Sequence, residues 1–224
     1  MLTEIKIKTS LSDKITDIMR IQVMNGTLAT GETLNEKSLS ERFGISRGPV
    51  RDAIRVLANE GFVTISPSGR SQIAGFSLDD MVDYYNIRYY LESNAIKKLL
   101  CELDKDAFKS WLFGIEALLV QFDELFSGNN ELYIEADVKI HYEIMRCANR
   151  VSLNLWNQLI NISRSIMMLN RQYGDSQYLE DTFPDHSIIL DAIKSRDENK
   201  ALLKLKEHFD QGNKNYRAIL LRQA

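Results

Sequence analysis

The segment over residues 36–61 constrains the fold of this chain more than any other stretch. Its apolar spacing predicts a short helix over Glu36–Phe43, and the glycine that follows at position 44 predicts a tight turn. A second helix is predicted from about Arg47 to Asn59, and Gly61 ends it. Two helices joined by a turn of this length are typical of a helix-turn-helix.

The start of the second helix carries its own signals. Ser46 is a favourable residue for the cap position. Pro49 falls in the first helical turn, where the missing N–H has no helical partner to lose. The residues that we expect to face inward are Val50, Ile54 and Leu57.

The flanking segments complete a small domain. Residues 11–25 have helical apolar spacing, with Ser10 or Ser12 as the candidate cap. After Gly61, the runs FVTI and SQIAG alternate like two short strands around the turn SPSGR. We therefore predict a winged helix-turn-helix domain over residues 1–75.

The exposed side chains of this domain suggest a surface for DNA. The first turn of the capped helix carries Ser46, Arg47 and, one turn later, Arg51. Arg47 can offer a bidentate fork to guanine, and Gly48 lets the backbone approach DNA closely. Arg70, in the wing turn, is placed to reach a minor groove or a phosphate. The alternative is that these arginines form only a solvated helix face.

The run LNEKSLSERFGISRGPVRDAIRVLANEGFV resembles the DNA-binding signature of the GntR family of transcription regulators. The matching positions are Leu34, Glu36, Leu39, Phe43, Gly44, Ser46, Arg47, Pro49, Val50, Arg51, Ala53, Leu57, Glu60 and Gly61. The resemblance implies that Lys37, Ser46, Arg47, Arg51 and the wing around Ser68 contact a double-stranded DNA operator. One departure is Ala29-Thr30, where the family usually has a proline before Gly31.

Composition places few limits on this interpretation. The net charge is −3, but residues 1–75 carry ten Lys and Arg against eight Asp and Glu, and the remainder carries eighteen against twenty-three. The first part is thus mildly basic, which permits DNA binding without demanding it. No apolar run is long enough for a membrane span, and no secretory signal is evident. We expect a cytoplasmic protein without a membrane partner, in which Cys101 and Cys147 are free thiols.

The second region, residues 76–224, has no alternation typical of strands. Short breaks separate six predicted helices, and helices joined by short loops form an antiparallel bundle. The predicted helices span residues 78–101, 104–127, 131–148, 152–170, 176–195 and 198–222. The predicted fold class is therefore mostly α, with a winged helix-turn-helix followed by an antiparallel six-helix bundle.

All three histidines of the chain fall on stripes that we expect to face the bundle core. Asp137 and His141 are four residues apart on one otherwise apolar stripe, and His186 and His208 lie on the stripes of the last two helices. A buried carboxylate without a partner is costly, so these groups suggest a shared charge partner. Three imidazoles and one carboxylate suit a divalent transition metal, and zinc, nickel and manganese all tolerate this set.

The segments DVKIHYEIMRCAN and DHSIILDAIKSRDENKALLKLKEHF resemble the FCD effector domain of the FadR branch of GntR regulators. The metal-binding form of that domain has an Asp and a His four apart on one helix and a His on each of the last two helices. The resemblance therefore implies that Asp137, His141, His186 and His208 are the metal ligands. Six helices resemble the VanR-like subgroup.

The first helix of the bundle adds a basic residue to its inward stripe. The structural interpretation of Arg88 is an ion pair with Glu92 at helical spacing. The functional interpretation is an anion clamp, because the family carries an arginine at this place beside the metal. An arginine fork and open metal positions suit a carboxylate effector. Asn149, at the family's asparagine after the Asp/His helix, is a second candidate for effector binding.

Together these features predict a homodimeric repressor that reads a pseudo-palindromic operator and responds to a small carboxylic acid. Activation instead of repression is an open alternative. A second alternative makes the four polar residues a purely structural network, and a third makes the bundle a metal-dependent hydrolase. We expect no enzyme, because neither a general base beside the ligands nor a nucleophile elbow is evident in the sequence.

Overall fold

A computed structural model describes residues 10–126, 130–173 and 185–223 of the 224-residue chain. The chain divides into two compact units, Met1–Ser77 and Leu78–Ala224. Each unit has its own buried core, and each is described by itself.

The first unit begins with three helices, α1 (Leu11–Met24), α2 (Glu36–Phe43) and α3 (Arg47–Asn59). Ser10 caps α1 in a reciprocal capping box with Asp13. The predicted bounds of all three helices hold to within one residue. Local signals set these bounds, namely the caps at their starts and the breaks at their ends.

Three short strands complete the first unit. Strands β2 (Val63–Ile65) and β3 (Ser71–Ile73) form the predicted antiparallel hairpin, with Val63 opposite Ile73. A third strand, β1 (Thr33–Leu34), pairs with the other edge of β3 and gives the order β1-β3-β2. The sequence did not predict β1, because a two-residue strand has no alternation to detect and depends on its pairing with β3.

The core of the first unit lies between α1, α3 and the sheet. Its fully buried side chains include Met19, Val50, Leu57, Phe62 and Ile73. The buried apolar residues recur at helical spacing on both helices, so each helix buries one apolar face; they include Ile15, Met19 and Val23 on α1 and Val50, Ile54 and Leu57 on α3.

A charged pair accompanies this core. Arg20 is 1% exposed and donates to both oxygens of Glu60, at 2.7 and 3.0 Å, and to Asp17 at 2.7 Å. This ion pair fastens α1 to the residue that follows α3. A buried guanidinium is tolerated only with such partners.

The second unit has six helices among the residues that the structure describes. They are α4 (Leu78–Glu102), α5 (Lys105–Phe126), α6 (Asn130–Met145), α7 (Arg150–Tyr173), α8 (Asp185–Lys194) and α9 (Glu198–Gln223). The fold class agrees with the prediction of a mostly helical chain. Residues 176–184 of the fifth predicted helix of the bundle lie outside the described residues, so the observed α8 covers only its last part.

Helix α4 occupies the middle of the bundle, where it packs against α6, α7 and α9. Its buried stripe includes Met81, Tyr85, Arg88, Glu92 and Leu99, which combines apolar with charged side chains. Within the described ranges, none of the helices is long and apolar enough to cross a membrane. The bundle therefore brings a charged stripe of α4 into the same interior as the histidines of α6, α8 and α9.

Candidate functional site

The three histidines meet inside the helical unit. His141 comes from α6, His186 from α8 and His208 from α9, and one ring nitrogen of each lies within 4.8 Å of the others. The ring centroids are 4.7 to 5.1 Å apart. His141 and His186 are buried, and His208 is half-buried. His186 and His208 follow His141 by 45 and 67 residues in the sequence. The three residues thus form one cluster, which we call the histidine cluster.

Asp137 joins the histidine cluster from one helical turn before His141. Oδ1 of Asp137 lies 3.0 Å from Nε2 of His186, and Asp137 is 7% exposed. Burial by itself would raise the pKa of this carboxyl, but His186, His141 and His208 hold it well below the usual range. The carboxylate is therefore ionised and faces Nε2 of His186, and its role as a fourth metal ligand stays a prediction.

The surroundings of His208 disfavour the charged form of its ring. Burial, together with His186 and His141 beside it, lowers the pKa of His208 well below its ordinary value. The ring is therefore neutral at pH 7, which is the form that binds metal. Its Nδ1 is buried and has no hydrogen-bond partner within the described part of the chain. A buried nitrogen of this kind needs a partner, either a cation or donor that binds its lone pair or an acceptor for its hydrogen.

The donor set fits a divalent transition metal. Nε2 of His141 and Nε2 of His186 face each other at 3.2 Å. Two facing nitrogens at this distance need either a shared proton or a common cation between them. Three imidazoles and one ionised carboxylate are ligands typical of zinc and similar metals.

Arg88 lies beside the histidine cluster on α4 and is only 5% exposed. Its Nε and Nη2 donate to Oε1 of Glu92 at 3.0 and 2.8 Å, and its Nη1 donates to Ser163 at 3.3 Å. The guanidinium also lies 4.7 Å from the ring centroid of Phe209. Burial alone would lower the pKa of Arg88, but Glu92 and Tyr84 raise it above the ordinary value. A permanent positive charge is thus fixed in the interior.

Glu92 is the functional residue that our sequence reasoning missed. It is completely buried, and its two oxygens accept from Arg88, from Nε1 of Trp156 at 2.8 Å and from Nδ1 of His141 at 2.6 Å. Burial would raise the pKa of this carboxyl, yet Arg88 and His141 lower it to about 2. The sequence signal was present, because Glu92 lies one turn after Arg88 on the inward stripe, but we weighed the pair only as a structural contact.

The structure does not bring Asn149 to the histidine cluster. Asn149 is exposed, and Lys98 donates to its side-chain oxygen at 2.8 Å. Its backbone carbonyl accepts from Leu153, so the residue opens the first turn of α7. Helix α6 ends at Met145, three residues before the predicted end. The residues between α6 and α7 form a surface connection, and the assignment of Asn149 to effector binding stays a prediction.

The candidate DNA-binding residues lie at the exposed start of α3. Ser46 occupies the N-cap position, but its side chain makes no capping hydrogen bond, which differs from our prediction. Arg47, Gly48 and Arg51 are exposed. Arg51 donates from Nε and Nη2 to Glu36 at 2.9 and 2.7 Å. The hydrogen bonds and charge of Arg51 lower the pKa of Glu36. Those of Glu36 in turn raise the pKa of Arg51.

The remaining predicted DNA contacts are exposed as well. Lys37 lies at the start of α2, and Ser68 and Arg70 lie in the turn between β2 and β3. Arg70 donates to Oγ1 of Thr33 at 2.8 Å, which ties the wing arginine to β1. The hydroxyl groups of Ser66 and Ser68 are 2.8 Å apart. We also note Arg55, which follows Arg51 by one turn on α3 and was not among the predicted contacts.

Comparison with known families assigns most of the chain. Residues 11–73 match the family of bacterial regulatory proteins known as the gntR family, and residues 83–211 match the FCD domain. The FCD match covers more than half of the chain by itself. Both matches agree with the resemblances inferred from the sequence, including the FadR branch.

Relatives with known names agree with this assignment. The gluconate operon transcriptional repressor of Bacillus subtilis is 23% identical over 91% of this chain and 84% of its own length. Among solved structures, McbR/YncC of Escherichia coli has a TM-score of 0.64 at 21% identity, covering 96% of this chain and 99% of that one.

A second structure, of the Listeria monocytogenes protein Lar, described as controlling expression of the agr system, has a TM-score of 0.67 at 17% identity. It covers 94% of this chain and 98% of that one. The structural likenesses concern the fold alone. The two family matches carry the assignment: this chain belongs to the GntR family of DNA-binding transcription regulators, and its second domain is an FCD domain.

Proposed function

We propose that this regulator is a homodimeric repressor that binds an operator through its winged domains and is released by a small carboxylic acid. The acid would bind in the helical domain, at a metal held by the histidine cluster. The observation that carries the proposal is the convergence of three histidine nitrogens within 4.8 Å, beside the ionised carboxylate of Asp137. Activation instead of repression is the alternative.

His141, His186, His208 and Asp137 would hold the metal, which we take to be zinc, nickel or manganese. When bound, such a metal supplies open coordination positions to a carboxylate oxygen. The protein's part is to keep the three imidazoles neutral and the carboxylate ionised. The lowered pKa of His208 supports a neutral ring at that position, and the lowered pKa of Asp137 supports the ionised carboxylate.

Arg88 would hold the second end of the anion. Its guanidinium is buried and permanently charged. A carboxylic acid that carries no positive charge of its own would form an ion pair with this guanidinium in a low-dielectric interior. Glu92 accepts from Nε and Nη2 of the guanidinium, and Nη1 donates to Tyr84 and Ser163, so a bound acid would replace the contacts of Nη1.

The winged domains would read the operator. The proposed DNA contacts are Lys37, Ser46, Arg47, Gly48, Arg51, Ser68 and Arg70, all exposed on the first unit. A two-fold dimer places two copies of α3 on two half-sites, so a pseudo-palindromic operator is expected. The acid can change DNA affinity only as far as it prefers one arrangement of the domains.

The rival functions differ in what they require. A purely structural network needs no metal and no acid, and a hydrolase needs a water-activating base beside the ligands. Glu92, the carboxylate nearest to His141, already accepts hydrogen bonds from Arg88, Trp156 and His141. This occupation argues against a role as a catalytic base, and regulatory relatives favour binding over turnover.

A titration of DNA affinity with acids tests the proposal. DNA selected by the protein from a random-sequence pool would be bound in the presence of zinc, and a panel of small acids would be added. Gluconate is the first choice, because a relative is named as the repressor of the gluconate operon. A tenfold loss of DNA affinity needs about 1.4 kcal/mol of coupling.

The matched variant is Arg88→Lys, which keeps the positive charge and removes the fork. We expect this variant to bind DNA like the wild type but to require more acid for release. If no acid in the panel changes DNA affinity in the wild type, the sensing function is wrong and only the DNA-binding function remains.

A further inference from the structure

Glu92 is a completely buried carboxylate on α4. Its hydrogen-bonding partners come from three side chains, those of Arg88, Trp156 and His141. Its Oε1 accepts from Nε and Nη2 of Arg88 at 3.0 and 2.8 Å and from Nε1 of Trp156 at 2.8 Å. Its Oε2 lies 2.6 Å from Nδ1 of His141. Two donors of a guanidinium and an indole N–H on one oxygen stabilise the negative charge of the carboxylate, and an ionised carboxylate can only accept.

The contact between Glu92 and His141 selects one form of the imidazole ring. An ionised carboxylate can only accept, so Nδ1 of His141 must carry the hydrogen. In the neutral ring, Nε2 then has the lone pair. Nε2 is the nitrogen that faces His186 at 3.2 Å inside the histidine cluster. A contact on one edge of the ring thus determines that the opposite edge is able to bind a metal.

We propose that Glu92 is a positioning residue that holds His141 in the metal-binding tautomer and, through its other oxygen, fixes the guanidinium of Arg88. One carboxylate would thereby position both the metal ligand and the anion-binding arginine. The part of this inference that concerns metal and acid rests on the proposed function. The tautomer of His141 does not, because it follows from the contacts of Glu92 alone.

The substitution Glu92→Gln makes a specific prediction, because an amide has one oxygen and one NH₂ group. The three donors from Arg88 and Trp156 favour the amide oxygen on their side. The NH₂ group then points at Nδ1 of His141, which must become an acceptor. The hydrogen moves to Nε2 and faces the histidine cluster. Volume and packing stay the same, so the change is one of hydrogen-bond polarity.

Nitrogen NMR of the full-length chain tests this proposal, because the protein has only three histidines. Ring ¹⁵N shifts of metal-free protein would be assigned to His141 by their absence from the variant His141→Gln. We expect hydrogen on Nδ1 in the wild type and on Nε2 in Glu92→Gln. Zinc affinity, measured by competition with a chromophoric chelator, should fall roughly 10- to 100-fold in Glu92→Gln.

Ser93→Ala is the matched control. Ser93 is also buried on α4, and its hydroxyl has no hydrogen-bond partner among the described residues. We expect this variant to keep the His141 tautomer and the zinc affinity of the wild type. A loss in both variants would indicate a general effect of disturbing the α4 core and would overturn the specific role of Glu92.

Hydrogen on Nε2 of His141 in the wild type would overturn the proposal, even if Glu92→Gln failed to fold. An unchanged tautomer together with unchanged zinc affinity in folded Glu92→Gln would also overturn it. A failure of the proposed function has a different signature, in which the wild type binds no zinc although Nδ1 of His141 carries the hydrogen. The two failures are therefore distinguishable.

Discussion

Two arginines at the start of α3 differ in how they are held. Arg51 donates two hydrogen bonds to Glu36, whereas the structure records no ion pair for Arg47 among the described residues. Glu36 orients the guanidinium of Arg51 before DNA arrives, whereas a guanidinium without an ion pair orients only on contact. Arg47 is therefore the better candidate for direct contact with a base. Arg51 is the better candidate for a DNA contact at a fixed position.

The substitution Arg47→Ala should weaken binding to selected DNA by about 1–3 kcal/mol and relax the base preference at one position of each half-site. The reason is the loss of a bidentate fork toward guanine. Fluorescence anisotropy with the selected sequence and with single-base variants measures both effects. Lys214→Ala removes an exposed charge from the helical domain and serves as the control. Equal losses in both variants would mean that only net charge matters.

Single residues also mark where sequence reasoning reached its limit. Asp137, His141, His186 and His208 were predictable because polar residues on apolar stripes stand out. Glu92 was not, because its role depends on His141 and Trp156, which come from other helices. Asn149 was placed by family resemblance alone, and the early end of α6 leaves it on the surface.

At the scale of elements, the turn between α2 and α3 depends on one backbone conformation. Gly44 has φ of 66° and ends α2 in the left-handed region. Apart from its own helix and chain neighbours, no atom of the described residues lies within 4 Å of the position that a Cβ would take there. Substitution at this position therefore tests the backbone conformation without introducing a clash.

The substitution Gly44→Ala should destabilise the first domain by about 1–2 kcal/mol, because an L side chain disfavours the left-handed conformation. Urea denaturation followed by circular dichroism measures the free energy of unfolding. A second variant, Gly44→Asn, should recover part of the loss, since asparagine tolerates this region better. Unchanged stability in Gly44→Ala would show that the turn relaxes to another conformation.

Gly48 lies in the first turn of α3 and provides the opposite case. A Cβ there also has open space, and its backbone lacks a positive φ. Gly48→Ala should therefore stabilise the domain by about 0.4–1 kcal/mol, because the unfolded chain loses freedom. If the backbone approaches DNA closely, DNA affinity should fall at the same time. Higher stability with unchanged DNA affinity would remove Gly48 from the proposed interface.

Elements with local signals were predictable, and elements that depend on pairing were not. Helices α1, α2 and α3 begin and end close to their predicted bounds, because caps and glycines act within a few residues. Strand β1 exists through its register with β3, in which Thr33 pairs with Gln72 across 39 residues of sequence. No local pattern in two residues encodes such a pairing.

At the scale of the whole molecule, the charges divide between the two domains. The chain has a net charge of −3, yet the proposed DNA contacts in the first domain include four basic residues. The interior of the helical domain holds the ionised groups Arg88, Glu92 and Asp137, which carry one net negative charge when the histidines are neutral. A divalent cation and a monoanionic acid together would bring that interior to neutrality.

Metal should stabilise the folded helical domain, because the ligands converge only when α6, α8 and α9 are packed. Zinc at 100 times its dissociation constant should raise the free energy of unfolding by about 2.7 kcal/mol, and a chelator should reverse the gain. Thermal unfolding followed by circular dichroism measures the effect. In Asp137→Asn, which loses the only charged ligand, the gain should be much smaller. An equal gain in both proteins would place the zinc elsewhere.

The proposed sensing function depends most directly on one metal ion per chain at the histidine cluster. Elemental analysis of protein purified without chelators and then equilibrated with limiting zinc measures this stoichiometry. We predict one equivalent of zinc in the wild type and in Ser93→Ala, and a loss of the bound zinc in His186→Ala. Equal metal content in the wild type and His186→Ala would contradict the site, and with it the sensing function that we propose.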